Sequence, residues 1–205
     1  MKGCATMPDL ELERLCRAKG YTYVCGVDAA GRGPLAGPVG AAAAVFPDEV
    51  DIEGINDSKK LSEKKREALY DVIKEKALAW GIAFASVEEI EEYNILEATY
   101  MAMNRAVEQL GDKVDFALVD GNRVPKGIKV DCETVVKGDG KSLSIAAASI
   151  LAKVTRDRLL LEYDEKYPQY GFAKHKGYGT KEHTEAIKAY GPCEIHRLSF
   201  LKNLL

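Results

Sequence analysis

Short, uninterrupted apolar runs alternate along the chain with amphipathic stretches of helical spacing, and this alternation predicts an α/β protein. Tyr21–Val27, Val39–Phe46 and Trp80–Val87 have the length and composition of strands. Between the first two lies a glycine-rich loop in which Pro34 and Pro38 oppose a helix, so this region reads as strand, loop, strand. Phe116–Val119 and Val130–Val136 predict two further strands. Helical spacing in Pro8–Ala18 turns Leu12, Leu15 and Cys16 towards a core. Ser62 is placed to cap a helix running to about Leu78. Glu88–Tyr93 and Ile95–Leu110 are helical on either side of Asn94, with Leu96, Thr99, Met103, Ala106 and Leu110 on one face. The longest predicted helix is Leu143–Tyr167, with Ile145, Ile150, Val154 and Leu161 inward; Pro168 stops it. A last helix spans Thr180–Tyr190. The expectation is one domain over residues 1–205, built on a sheet of mixed direction, with a helical C-terminal part from about residue 168.

Composition narrows the class. The chain is 46% hydrophobic and 30% charged, an ordinary globular balance. No apolar run is long enough to cross a bilayer, and Met1–Leu10 lacks the apolar stretch of a secretory signal, so a cytoplasmic protein without a membrane partner is expected. Cys4, Cys16, Cys25, Cys132 and Cys193 contain no C-x-x-C pair, which suggests neither a disulfide framework nor a zinc site. The net charge of −3 is unevenly spread. Phe172–Leu205 carries six Lys or Arg against three acids, +3, which leaves −6 on the first 171 residues. That basic tail suits a phosphate-bearing partner; a solvated helix face accounts for it equally.

Three aspartates occupy positions where chemistry gathers. Asp28, Asp120 and Asp139 each fall at the junction of a predicted strand with a glycine-containing loop. If those strand ends converge, the carboxylates raise one another's pKa unless a cation lies among them. Hard oxygen donors without histidine or cysteine favour magnesium or manganese. Two such ions suit phosphodiester hydrolysis. Three unrelated turn aspartates are the competing reading. Two nucleotide-binding readings fit worse. The third glycine of the early loop, Gly37, comes one place late for G-x-G-x-x-G. Gly140-Lys141-Ser142 resembles the end of a phosphate-binding loop, yet Val135 stands where that motif needs glycine, and Asp139 would put negative charge into the nest.

The motifs decide among these. G-V-D-A-A-G-R-G-P-L-A-G-P-V at Gly26–Val39 opens the series, followed by N-D-S-K-K-L-S at Asn56–Ser62 and N-I-L-E-A-T at Asn94–Thr99. V-D-G-N at Val119–Asn122, V-K-G-D at Val136–Asp139 and A-A-A-S-I-L-A-K-V-T-R-D at Ala146–Asp157 come next. H-K-G-Y at His175–Tyr178 and H-R-L-S-F at His196–Phe200 complete it. In content and order the set resembles ribonuclease HII, the type 2 ribonuclease H family, over nearly the whole chain after Tyr21. The resemblance implies the ribonuclease H-like fold: a five-stranded mixed sheet flanked by helices, with a helical C-terminal part.

It also implies an activity. The family's enzymes are metal-dependent endonucleases that hydrolyse RNA in RNA–DNA hybrids and cut 5′ of single ribonucleotides in duplex DNA, leaving 3′-hydroxyl and 5′-phosphate ends. Ribonucleotide excision in DNA repair and replication and a Mg2+ or Mn2+ two-metal site are what the resemblance implies here; a monomer is expected, although the sequence itself is silent on oligomeric state. Carried over residue by residue, Asp28, Asp120 and Asp139 are the catalytic metal ligands. Gly31, Arg32 and Gly33 contact the 2′-hydroxyl and adjoining phosphates, largely through backbone groups, and Tyr178 stacks on the sugar at the DNA–RNA junction. The 2′-hydroxyl is the group that separates RNA from DNA, and close backbone approach explains glycine on both sides of Arg32.

Lys59 and the Lys174-His175-Lys176 group are candidates for phosphate contacts, against a plain solvated loop. Ser149, Lys153 and Asp157 share one helix face and are candidates to support the metal site from behind. An intrahelical ion pair accounts for the last two equally. One departure bears on activity: the family's motif glutamate falls on Ala29. Losing one of four carboxylates implies slow cutting with binding retained, by roughly a hundredfold or more in rate. A non-catalytic hybrid-binding protein is the alternative, but clustered carboxylates without metal hinder the binding of a polyanion.

Overall fold

The computed structural model describes residues 6–205; Cys4 and the beginning of the Met1–Leu10 stretch lie outside the described residues. The elements run α1 (Glu11–Ala18), β1 (Val24–Ala30), β2 (Val39–Val45), α2 (Glu63–Lys76), β3 (Ala79–Ala85), α3 (Val87–Glu108), β4 (Phe116–Asp120), β5 (Asp131–Val135), α4 (Leu143–Lys166), α5 (Phe172–His175) and α6 (Lys181–Tyr190). The five strands form one sheet in the order β3-β2-β1-β4-β5. β1–β2 and β2–β3 are antiparallel, whereas β1–β4 and β4–β5 are parallel, which makes the sheet mixed as expected. Among the described residues no helix is long and apolar enough to cross a membrane.

Helices cover both faces. α3 packs Ala98, Ala102 and Met103 against Val27, Ala41 and Ala43, while α2 and α4 pack Ile73, Ile150 and Leu151 against Ala42 and Ala44. The alanines of β2 allow close approach on both sides. Two glycines carry this further: a Cβ on Gly26 would lie 2.1 Å from the Ser144 carbonyl carbon of α4, and one on Gly81 would lie 2.3 Å from the Ala106 oxygen of α3. Glycine within a strand here marks backbone-to-backbone contact. Ser62, Ser86, Ser142 and Thr180 each accept a backbone N–H at the start of α2, α3, α4 and α6, and Ser86 with Glu89 forms a reciprocal capping box. α3 breaks at Asn94 (φ 74°), whose side chain caps the resumed helix at Glu97 N–H. The two helical stretches expected on either side of Asn94 are therefore joined through a kink.

Three expectations are corrected. Leu15 is 55% exposed and Leu161 is 42% exposed, although both were expected inward. In α1 the inward position is taken by Glu13, which accepts hydrogen bonds from Ser142 Oγ, Ser144 Oγ and Ser144 N–H at the start of α4. In α4 it is taken by Leu160, which meets Ala36, Tyr170, Phe172 and Ile187 in a separate C-terminal core. Finally, β1 continues past Val27. Its pairing with β4 ends at Val27↔Val119, but its pairing with β2 runs on from Asp28↔Ala42 to Ala30↔Gly40. β1 and β4 thus part company beyond Val27 and Val119, and a carboxylate, Asp28 or Asp120, is the next residue on each.

Candidate active site

A cleft of about 530 Å³ opens where β1 and β4 diverge. Asp28, Asp120 and Asp139 all line it, with Ala29, Gly31, Arg32, Gly33, Ser58, Lys59, Ser149, Lys153 and Tyr178. Residues far apart in sequence therefore meet at one place. Asp28 is buried and accepts the Ala29 N–H at 2.7 Å. Asp120 accepts the Gly138 N–H at 2.7 Å, which ties the end of β4 to the short turn carrying Asp139.

The electrostatics of these carboxylates follow from their position. Burial pushes Asp28 well above the ordinary carboxylate range, and the neighbouring Asp120 pushes in the same direction; the Ala29 N–H and Lys59 oppose them. Asp139 is pushed up to about 6 by burial, then by Asp120 and Asp57. A half-enclosed set of hard oxygen donors with negative charge in excess fits a divalent cation such as Mg2+ or Mn2+. Among the described residues no three His, Cys, Asp or Glu side chains are gathered tightly enough to hold an ion alone; magnesium commonly completes its shell with waters and substrate oxygens.

Other elements support the cleft. Ser149 Oγ lies 2.6 Å from Ser58 Oγ and holds the Asp57–Lys60 turn that presents Lys59. Lys153 pairs with Asp157 at 2.9 Å and lies 5.7 Å from the Tyr178 ring centroid; Lys153 lines the cleft, whereas Asp157 sits behind it. Tyr178 is 42% exposed, and its carbonyl is gripped by a histidine chain. His196 Nδ1 accepts the Cys193 N–H, so its Nε2–H donates to His183 Nε2, and His183 Nδ1–H donates to the Tyr178 carbonyl.

None of the Lys174-His175-Lys176 group lines the cleft. Lys174 pairs with Glu182 at 2.6 Å, and both His175 nitrogens are occupied, by the Tyr170 carbonyl and the Gly177 N–H. The glycine flanking Arg32 on its N-terminal side also has another reason than the one expected. Gly31 has φ +88°, and a Cβ there would lie 2.0 Å from Arg156 Nε; Gly33 meets nothing nearer than Tyr178 at 3.9 Å. The phosphate-loop alternative is removed by Glu13, whose carboxylate already accepts from Ser142 and Ser144 at the α4 N-terminus. Ser58, Met103 and Gly121 also line the cleft and carried no separate signal in the sequence.

A mixed sheet in this order, with three carboxylates where its two central strands part, defines a nuclease of the ribonuclease H-like fold. The comparisons agree and go further. Residues 25–203 match the model of the family described as ribonuclease HII, and the chain belongs to that family. It is 60% identical over 187 residues to the ribonuclease HII of Clostridioides difficile, covering 91% of this chain and 73% of that protein. It is 59% identical over 196 residues to that of Ruminiclostridium cellulolyticum, covering 96% and 76%. Among solved structures, the ribonuclease H2 of Pyrococcus horikoshii aligns with a TM-score of 0.72 at 29% identity, over 88% of this chain and 96% of that one. Family membership makes the chain an endoribonuclease of the ribonuclease H class.

Proposed function

We propose that this cleft binds RNA–DNA hybrids and duplex DNA carrying single ribonucleotides, and hydrolyses the phosphodiester on the 5′ side of a ribonucleotide, leaving 3′-hydroxyl and 5′-phosphate ends. One observation carries the reading: three carboxylates, a cationic glycine loop and an exposed tyrosine line a single cleft. Asp28, Asp120 and Asp139 would hold Mg2+ or Mn2+, which when bound supplies an activated water and stabilises the leaving oxygen. The chain's own residues do the rest. Arg32 and Lys59, which line the same cleft, offer positive charge to the substrate's phosphates. The backbone of Gly31–Gly33 approaches the sugar, where the 2′-hydroxyl distinguishes RNA. Tyr178 offers a ring face to the adjoining deoxyribose, and Lys153 stands beside it.

Ala29 lines the same cleft and brings no carboxylate to it. The reading therefore includes an enzyme that binds its substrate and cuts it slowly, by roughly a hundredfold or more. A non-catalytic hybrid binder is the alternative. The two separate on metal: hybrid binding by this chain should strengthen on adding Mg2+, and Asp120→Asn should remove that response. Binding indifferent to Mg2+ in both proteins supports the binder instead.

A further inference from the structure

Two arginines outside the cleft are buried without an acid. Arg156 in α4 and Arg197 near the C-terminus are 1% and 0% exposed. Among the described residues neither makes an ion pair with a carboxylate. A buried guanidinium is costly unless its donors are satisfied, and here backbone carbonyls satisfy them. Arg197 donates to the carbonyls of Gly31, Arg32, Pro34 and Gly37 at 2.6–2.9 Å. Arg156 donates to those of Ala36 and Pro38, and to Lys176 beside Tyr178, at 2.9–3.0 Å. The Arg197 N–H takes the Leu35 carbonyl. Every carbonyl from Gly31 to Pro38 except that of Gly33 is thus captured by these two residues.

The slot around Arg156 is shaped for it. Gly31 and Gly37 both have positive φ, and a Cβ on them would lie 2.0 and 3.2 Å from atoms of the Arg156 side chain. The loop has therefore given up side chains to admit a cation.

Carbonyl capture has a second effect. In a trans peptide the N–H points opposite to the preceding C=O, and no peptide bond among the described residues is cis. With the Gly31 and Arg32 carbonyls drawn in towards Arg197, the N–H groups of Arg32 and Gly33 turn outward. Among the described residues neither N–H makes a hydrogen bond, and both residues line the cleft. Two unpaired donors, backed by buried positive charge, face the place where a sugar–phosphate oxygen arrives.

We propose that Arg156 and Arg197 are positioning residues for ribonucleotide recognition: by capturing the loop carbonyls they hold the Arg32 and Gly33 N–H groups aimed at the substrate's sugar–phosphate oxygens. The inference rests on the functional reading above and adds to it the device that aims the loop. Lysine in place of arginine keeps a charge but loses the planar, multi-donor fork. The test compares the chain with Arg197→Lys, and reads by fluorescence anisotropy the affinity for a DNA duplex carrying one ribonucleotide against the all-DNA duplex, with calcium as the divalent ion. The unaltered chain should prefer the ribonucleotide duplex. Arg197→Lys should lose about tenfold or more of that preference, with all-DNA binding and cooperative thermal unfolding kept. A folded variant that retains the full preference overturns the inference alone; an unaltered chain with no preference removes the functional reading and the inference with it. Should Arg197→Lys fail to fold, amide spectra of the unaltered, nitrogen-15-labelled chain decide. The Arg32 and Gly33 amide signals should move on adding the ribonucleotide duplex, and move less with all-DNA duplex; equal response to both overturns the assignment.

Discussion

Gly26 sits where β1 touches α4 backbone to backbone, and Gly26→Ala tests whether that contact sets the site. The added Cβ would lie 2.1 Å from the Ser144 carbonyl carbon, 2.2 Å from the Ile145 nitrogen and 2.5 Å from the Ser144 oxygen. These are backbone atoms of a long helix, so no side chain can swing aside. Restoring a normal carbon–carbon separation of about 3.5 Å requires β1 and α4 to part by roughly 1.4 Å. β1 carries Asp28, and α4 carries Ser149 and Lys153, so the retreat widens the cleft as well as the core. Overpacking of this kind costs about 1–3 kcal/mol, and backbone atoms place it at the upper end. A displacement of about 1 Å at a reacting centre costs on the order of a hundredfold in rate. Urea unfolding, followed at constant slope, reads the first loss; turnover of a ribonucleotide-containing duplex, in a chain carrying Ala29→Glu, reads the second. A Gly26→Ala protein with unchanged midpoint and unchanged turnover refutes the close contact and its role in the site.

Other outcomes follow from the same structure. Burial pushes His183 and His196 each down to about 4, so both fold neutral while the unfolded chain takes up protons below its ordinary value near 6.5. Their stabilisation is complete above about pH 6.5 and is lost as the pH falls towards 4, on the order of 2–4 kcal/mol together by pH 5; the assigned ring resonances of His183 and His196 in the folded chain check it, titrating below about pH 5 if it holds, and titration of either above pH 6 contradicts it. Lys59→Ala should weaken hybrid and all-DNA binding alike and reduce the slope of log affinity against log salt by about 0.9; an unchanged slope means that Lys59 touches no phosphate. Tyr178→Ala should weaken binding of the ribonucleotide duplex by roughly tenfold, whereas Tyr178→Phe keeps the ring and the affinity; equal losses in both point to the hydroxyl instead of the ring.

The parts of the site that end an apolar run were legible in the sequence. Asp120 directly follows Phe116–Val119, and a buried run ending in a charge predicts a strand end. Asp28 was legible as a residue but not in its setting: β1 continues through it because β2 still offers hydrogen-bond partners after β4 has stopped. The two anchoring arginines were not legible in role, although both stand inside quoted motifs. Arg156 in a helix and Arg197 in a polar ending look like solvated surface, because their partners are carbonyls about 120 and 160 residues away in sequence. Glu13 was hidden for the same reason. A lone acid in a short amphipathic helix reads as outward, and only the three donors at the start of α4 make an inward position tolerable. His175 shows the converse: a histidine between two lysines reads as part of a basic surface group, yet it is buried with both ring nitrogens occupied.

The central claim is that three carboxylates at the parting of β1 and β4 form a hydrolytic centre from which position 29 withholds a fourth. Its most direct test is cleavage of a DNA duplex containing one ribonucleotide, with Mg2+ and then Mn2+, by this chain and by Ala29→Glu. Ala29→Glu should cut on the 5′ side of the ribonucleotide, roughly a hundredfold or more faster than this chain. Equal turnover by the two proteins contradicts the role of position 29, and absence of cutting by both, with the duplex still bound, contradicts the hydrolytic centre itself.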